Sequence, residues 1–212
     1  GRPAPVFDFD PIHVLQLISE MNRGLSIVGP KGIVRHQQTD FFAGAVVSPF
    51  KATQAEQLTQ YSKLKKKIAA GAKFVVTQLG YDARKFHELL LFMKQHDLHV
   101  PLVGNIYILP FGAAKMMNRN ELPGSVVTDQ LLAELDRERN EPDKGLEARI
   151  LRAARLYAVL KGMGYSGVHL GGHNIPYAQV EEIIRRGEAL APEWQTLVPF
   201  FEIGRASCRE RV

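Results

Sequence analysis

A chain of 212 residues, 45% hydrophobic and 23% charged, has ordinary globular composition, enough for one good core and too little for two large domains. A net charge of +5 is too modest for a dedicated polyanion binder, so nucleic acid is not an expected partner. No run approaches the roughly 20 apolar residues that cross a bilayer, and no signal peptide opens the chain. No membrane partner is therefore expected, and the cytoplasm is the expected compartment.

Asp10 reads as an N-cap with Pro11 at the first helical position, and Ile12, Val14, Leu15, Leu17, Ile18 and Met21 follow at helical spacing. Asn22-Arg23-Gly24 ends that helix. Residues 25–39 form a polar connection in which Gly29-Pro30-Lys31-Gly32 suits a small hairpin. The near-continuous apolar run 41–47 predicts a strand covered on both faces, closed by Ser48-Pro49-Phe50. A helix over about 53–70 carries Leu58, Tyr61, Leu64 and Ile68 on its apolar face and stops at Gly71.

Phe74 to Thr77 is the next buried strand. Thr77 and Gln78 stand at its C-terminal end, on the rim where loops of parallel α/β proteins bind ligands. Asp82 caps a helix bearing Phe86, Leu89, Leu90 and Met93. Residues 100–108 make a third strand with Gly104 and Asn105 inside it, and Pro110 starts a helix through Ala113, Ala114, Met116 and Met117. Residues 118–140 read as helical on both sides of a break at Pro123-Gly124. A long helix over 145–161 ends at Gly162-Met163-Gly164, and residues 166–170 form a fourth strand leading into Gly171-Gly172-His173-Asn174. Pro176 opens a last helix through Ile184.

The two ends differ from the rest. The chain opens on Gly1 rather than Met, so further sequence upstream is expected. From Glu202 onward the segment Glu202-Ile203-Gly204-Arg205-Ala206-Ser207-Cys208-Arg209-Glu210-Arg211-Val212 reads, codon by codon, as a translated short-read sequencing adapter. Residues 1–201 are accordingly read as one domain and 202–212 as a non-native tail, in a piece cut at both ends. The single cysteine, Cys208, falls in that tail, so no disulfide or thiol chemistry is expected of the remainder.

Repeated strand-helix units with buried strands predict an α/β fold with a parallel sheet, either half a closed barrel or a small open doubly wound sheet. No Gly-x-Gly-x-x-Gly follows any strand, which counts against an open dinucleotide-binding sheet. His169 and His173 stand four apart around a glycine pair but lack a convincing third ligand, so no metal is expected. Gly171-Gly172 ahead of the last helix would suit an anion nest, as in a phosphate-ligand barrel lyase or aldolase. A Schiff-base mechanism would want a lysine inside a strand, and Lys73 stands only at a strand's beginning. A non-catalytic binding module that uses the lysine helix on an anionic partner is the remaining alternative. The run Lys63-Leu64-Lys65-Lys66-Lys67 lacks the interleaved aromatics of an RNA-binding surface and otherwise reads as a solvated helix face.

The segment Phe41-Phe42-Ala43-Gly44-Ala45-Val46-Val47-Ser48-Pro49-Phe50, the lysine-bearing helix ending Ala70-Gly71-Ala72, Thr77-Gln78, Val103-Gly104-Asn105-Ile106 and Gly167-Val168-His169 resemble the methylenetetrahydrofolate reductases. Order and spacing fit over nearly all of 8–184. The resemblance implies a partial (β/α)8 TIM barrel, its C-terminal half, with about four parallel strands. It also implies a full protein that uses FAD, reloaded by NAD(P)H in a ping-pong cycle, to reduce 5,10-methylenetetrahydrofolate to 5-methyltetrahydrofolate. Folate is then the substrate partner, in one-carbon metabolism and methionine biosynthesis, and a homo-oligomer is compatible with it.

By the same resemblance Gln78 matches a glutamine that hydrogen-bonds the folate, its amide offering donor and acceptor to a pterin edge. Lys67 matches a basic residue near the flavin phosphates, with Lys63 and Lys66 supporting it on the same helix. Gln60 falls where the family usually has a carboxylate contacting the flavin, and Met117 where a phenylalanine packs against the substrate. Ser48 replaces an aromatic, Asn105-Ile106-Tyr107-Ile108 a more hydrophobic proline-containing strand end, and Gly171-Gly172-His173 an aromatic-containing loop. These departures mark a divergent branch. The family's general-acid glutamate belongs to the first strand, upstream of this chain, and none of Glu56, Glu88 or Glu121 stands at a strand end, so the catalytic acid is left unassigned. A half barrel leaves strand edges unpaired, so the piece alone is expected to be inactive and aggregation-prone.

Overall fold

A computed structural model of the protein describes residues 8–51, 53–122 and 124–202. Apart from Glu202, the tail expected from the sequence lies outside them.

Helix α1 spans Pro11–Arg23, where the Asp10 carboxylate accepts from the Ile12 and His13 N–H groups at 2.8 and 2.9 Å. Gly24, at φ 89°, ends it in the left-handed conformation. Strands β1 (Ser26–Gly29) and β2 (Gly32–Arg35) pair antiparallel as the small hairpin the glycines suggested. Then come β3 (Gly44–Val47), α2 (Gln54–Ala69), β4 (Phe74–Thr77), α3 (Ala83–Gln95), β5 (Leu102–Tyr107) and α4 (Phe111–Asn118). Next follow α5 (Asp129–Glu138), α6 (Leu146–Met163), β6 (Gly167–Gly171) and α7 (Tyr177–Leu190). A short α8 (Trp194–Leu197) sits between the 3-10 turns Ala191–Glu193 and Val198–Phe201. Thr53 and Glu56 cap α2 reciprocally, each side chain meeting the other's backbone N–H at 3.2 Å.

Strands β3, β4, β5 and β6 lie side by side in chain order and all parallel. Helices connect them, and Leu64, Phe86, Leu89 and Leu160 of those helices share one buried cluster with Val75 and Ile106 of the sheet. This is an α/β wall of the kind that makes up part of a (β/α)8 barrel. No helix among the described residues is long and apolar enough to cross a membrane.

Three expectations fail, each for a physical reason. The strand expected over 41–47 is regular only from Gly44, and it is not covered on both faces: Phe42 is 73% and Val46 54% exposed. The helices cover one side of the sheet, and among the described residues no element covers Phe42 and Val46 on the other. The helix expected from residue 118 begins only at Asp129, where the Thr128 hydroxyl accepts from the Leu131 N–H at 3.2 Å. Leu58 is exposed on α2, and Gln57 takes the buried place, because two backbone groups of the preceding turn need partners there. Its Nε2 donates to the Ser48 carbonyl at 3.2 Å and its Oε1 accepts from the Lys51 N–H at 3.3 Å.

Thr77 explains how the sheet ends. Register between β4 and β5 runs through Val75 with Leu102 and Val76 with Val103 and then stops. At the next step the Asn105 N–H donates to the Thr77 hydroxyl at 3.0 Å, while the Gln78 N–H turns the other way to the Val47 carbonyl at 2.7 Å. Thr77 is 1% exposed, so its hydroxyl is a buried acceptor that stands in for a backbone carbonyl. Thr77→Val, which keeps the shape and deletes the acceptor, should lower stability by about 1–3 kcal/mol in urea unfolding, and Thr77→Ser by clearly less. Equal losses for the two variants would show that packing, not the hydroxyl, matters there.

Candidate functional site

Alternate residues of a strand face opposite sides of the sheet, and Gly104 shows which side is which. A Cβ added to it would stand 2.6 Å from Leu160 Cδ1 on α6. Leu102, Gly104 and Ile106 therefore face the helices, while Val103, Asn105 and Tyr107 face the inner, barrel-lumen side. The register carries this across the sheet: Val46 pairs with Val76, Val76 with Val103 and Val103 with Gly167, one apolar inner row. Two residues further on, alternation places Ser48 and Gln78 just past the ends of β3 and β4, and Asn105 and His169 in the second half of β5 and the middle of β6. Apolar gives way to polar at the rim where ligands of parallel α/β folds bind.

Each member of that polar row has a distinct state. Gln78 is half-buried, and its Oε1 accepts from the Leu79 N–H at 2.9 Å, which leaves Nε2 with no partner among the described residues. Gly124, in the connection between α4 and α5, lies over this amide, since a Cβ on it would come 3.4 Å from Nε2. Asn105 and His169, register partners on β5 and β6, are joined at 3.1 Å between Oδ1 and Nδ1. The Ser48 hydroxyl is buried and unpaired among the described residues, a state that native structures rarely leave without a cause. Tyr81 ties the loop after β4 to the end of β5: its hydroxyl donates to the Tyr107 carbonyl at 2.9 Å, and burial pushes its pKa up, keeping the phenol protonated.

A second feature lies on α2. Gln60, Lys63 and Lys67 recur at three- and four-residue spacing and so share one flank, with Lys66 beside them. Lys63 and Lys66 are exposed, and Gln60 and Lys67 are half-buried. The Lys67 ammonium donates to the Val46 carbonyl of β3 at 2.6 Å. Burial, and then the neighbouring Lys63 charge, pull its pKa down, opposed by Asp10 at the start of α1. Odd-numbered residues of β3 bond toward β4, as the Ala43 and Val47 carbonyls show, so the Val46 carbonyl points to the free edge. Lys67 is the group that caps that edge. Ammonium groups and a side-chain amide on one flank are a donor set that fits an anionic diphosphate.

The model of one protein family, methylenetetrahydrofolate reductase, matches residues 20–186, a stretch that contains the polar rim row and the α2 flank. The chain belongs to the methylenetetrahydrofolate reductase family. That makes it a folate-related member of a family of oxidoreductase type whose members generally use FAD. No curated protein matches it. Among solved structures it is similar to an uncharacterized protein from Clostridium thermocellum described as binding two copies of 5-methyl-5,6,7,8-tetrahydrofolic acid. Identity is 14%, the TM-score is 0.44, and the match covers 73% of this chain and 55% of that one. The chain thus spans little more than half the length of that protein.

In this reductase-family chain the six residues singled out from the sequence fall on three surfaces. Gln78 stands on the inner rim, Gln60, Lys63, Lys66 and Lys67 stand on α2 in the outer layer, and Met117 is buried in the core at 5% exposure. Glu56 is used as a helix cap, and Glu88 accepts from the Tyr61 hydroxyl at 2.9 Å and from Lys85 at 2.7 Å. Among the described residues no three His, Cys, Asp or Glu side chains meet as a metal site requires. A cavity of about 450 Å³ lies away from the rim, between α5, α6 and the C-terminal turn, lined by Glu134, Arg152 and Phe200 among others. In its wall Arg152 pairs with Glu134 and Glu138, and the Arg155 guanidinium lies 4.1 Å over the Phe200 ring. Sequence reasoning had quoted both within motifs of the resemblance, Asn105 also as a departure and His169 also as half of a weak metal motif, and gave neither a ligand role. Aligning the strands by two-residue alternation would have found them as a pair, since each stands two residues past an inner-row position.

Proposed function

We propose that the chain is the C-terminal part of a flavin-dependent oxidoreductase that reduces 5,10-methylenetetrahydrofolate to 5-methyltetrahydrofolate with NAD(P)H. The observation that carries this reading is Gln78: within the family-matched residues, at the C-terminal end of a central strand, it presents an amide donor with nothing to bind. An unpaired amide on a ligand rim suits the hydrogen-bonding edge of a pterin. FAD, when bound, supplies the hydride for the methylene carbon. This chain's own part is to bind and orient. Lys63 and Lys66, with Gln60 and Lys67, hold the phosphates of the cofactor by charge and hydrogen bonding, and Gln78 fixes the pterin. Met117, matched by the resemblance to a substrate-packing phenylalanine, is buried on α4 and is read as core. No catalytic acid is assigned among the described residues.

The test is spectroscopic. The full-length protein should purify yellow, its flavin absorbance should bleach on adding NADH or NADPH, and 5,10-methylenetetrahydrofolate should restore it. A colourless protein that binds 5-methyltetrahydrofolate would replace the reductase with a non-catalytic folate-binding module. A covalent adduct trapped by borohydride would favour the aldolase reading. The 212-residue chain alone, with Phe42 and Val46 exposed on an uncovered sheet face, should carry no flavin and should aggregate.

A further inference from the structure

We propose that His169, held in a single tautomer by Asn105, is a second ligand-binding group of the rim, acting across the sheet from Gln78 on the same heterocycle. The proposal rests on the folate reading given above. It extends that reading to two residues on β5 and β6.

Four observations carry it. Asn105 and His169 are register partners on adjacent parallel strands, so their side chains leave the sheet on the same side. That side is the inner one, because Gly104 packs its opposite face against Leu160. The imidazole Nδ1 lies 3.1 Å from the Asn105 Oδ1, and because a carbonyl oxygen only accepts, that pairing is a hydrogen bond in the tautomer with its proton on Nδ1. The other ring nitrogen, Nε2, is then a bare acceptor, on a side chain that is exposed although it sits in the middle of a strand. Finally, Gly171 flanks the other edge of the ring: a Cβ there would stand 3.4 Å from His169 Cε1 and 3.7 Å from both its Nδ1 and Tyr107 Cδ2, on the side that meets Asn105 and not on the Nε2 side.

The rim then offers a spaced set of opposite polarity. From β4 comes a donor, the Gln78 Nε2. From β6 comes an acceptor, the His169 Nε2, and from β5 comes the Asn105 amide nitrogen, a further donor once its oxygen is engaged. The buried unpaired Ser48 hydroxyl stands in the same row. A reduced pterin carries an amide N–H, its carbonyl and an exocyclic amino group along one edge, and needs both donors and acceptors to be held. An apolar ligand would leave all of these groups unsatisfied. Asn105 is thus a positioning residue and His169 a binding one, the base-and-orienter arrangement by which a side-chain partner selects the free nitrogen of a histidine.

The experiment uses the full-length protein and 5-methyltetrahydrofolate as the probe, with the dissociation constant read by calorimetry. Ring nitrogen resonances of 15N-labelled histidine are recorded with and without the probe. The unliganded protein should show His169 protonated at Nδ1, and the probe should shift its Nε2 resonance. His169→Phe should weaken binding by about tenfold, the effect of one buried hydrogen bond, and His169→Gln should recover part of it. Asn105→Leu should weaken binding less and scramble the tautomer, and Asn105→Asp should restore the Nδ1 proton.

If the unsubstituted protein does not bind the probe, the folate reading falls and this inference falls with it. If it binds, and Gln78→Ala weakens binding while His169→Phe does not, this inference alone is overturned. Should His169→Phe fail to fold, the unsubstituted protein still decides: an Nε2 resonance unmoved by saturating probe overturns the proposal.

Discussion

Replacing Gln78 with alanine in the full-length protein is expected to weaken 5-methyltetrahydrofolate binding by roughly tenfold to a hundredfold, the range for a hydrogen-bonding group deleted from a desolvated contact. Stability should barely change. The side chain's one bond in the free protein is to the adjacent Leu79 N–H at the half-buried rim, where water can take over. A loss of affinity with an unmoved urea midpoint assigns Gln78 to the ligand. Unchanged affinity removes the observation on which the proposed function stands, and a lowered midpoint with lowered affinity would mean that the rim itself had collapsed.

The largest effect on stability should come from Gly104→Val. The added Cβ alone would meet Leu160 Cδ1 at 2.6 Å, Cδ2 at 3.1 Å and Cγ at 3.3 Å. Leu160 has no exposed surface and no direction in which to yield. The branched methyls add to the clash, and the cost is expected near 3 kcal/mol, the upper end for overpacking a dense core. Chemical denaturation measures it. The variant Leu160→Ala should relieve part of the penalty when combined with Gly104→Val, giving a non-additive double-mutant cycle. Strict additivity would mean that the two residues do not meet. Because Asn105 follows Gly104, a displaced β5 should also loosen the Asn105–His169 contact, visible in the same histidine resonances.

What was legible in the sequence follows from how local each signal is. Strand β4 was read with its observed ends because four apolar or β-branched residues stand between a helix-stopping glycine and a polar rim. The Asp10 cap and the hairpin glycines act over three or four residues and were equally plain. The misreadings needed information from elsewhere in the chain. Leu122, Val126 and Val127 have helix-compatible spacing, yet their segment is a connection: Asn118 Nδ2 donates to the Val127 carbonyl at 3.1 Å and Gly124 overlies Gln78. Gln57 displaced Leu58 from the buried side of α2 because it could satisfy two backbone groups that no hydrophobic pattern reveals. The apolar run before Ser48 says that both faces of β3 are fit for burial and nothing about what supplies the cover. For the candidate site, the resemblance nominated Gln78 and the α2 lysines, but only cross-strand register could set Asn105 beside His169.

The bond from Lys67 to Val46 sets up a contest with two claimants and one ammonium. A peptide carbonyl on the free edge of β3 holds it at 2.6 Å. A cofactor phosphate recruiting Lys67 would strip that carbonyl of its donor, unless a neighbouring strand arrives with a backbone N–H to replace it. Closing the barrel beside β3 would therefore do two things at once: seal an edge and release a positive charge. Cofactor affinity and barrel closure would then be thermodynamically linked through one side chain, each tightening the other.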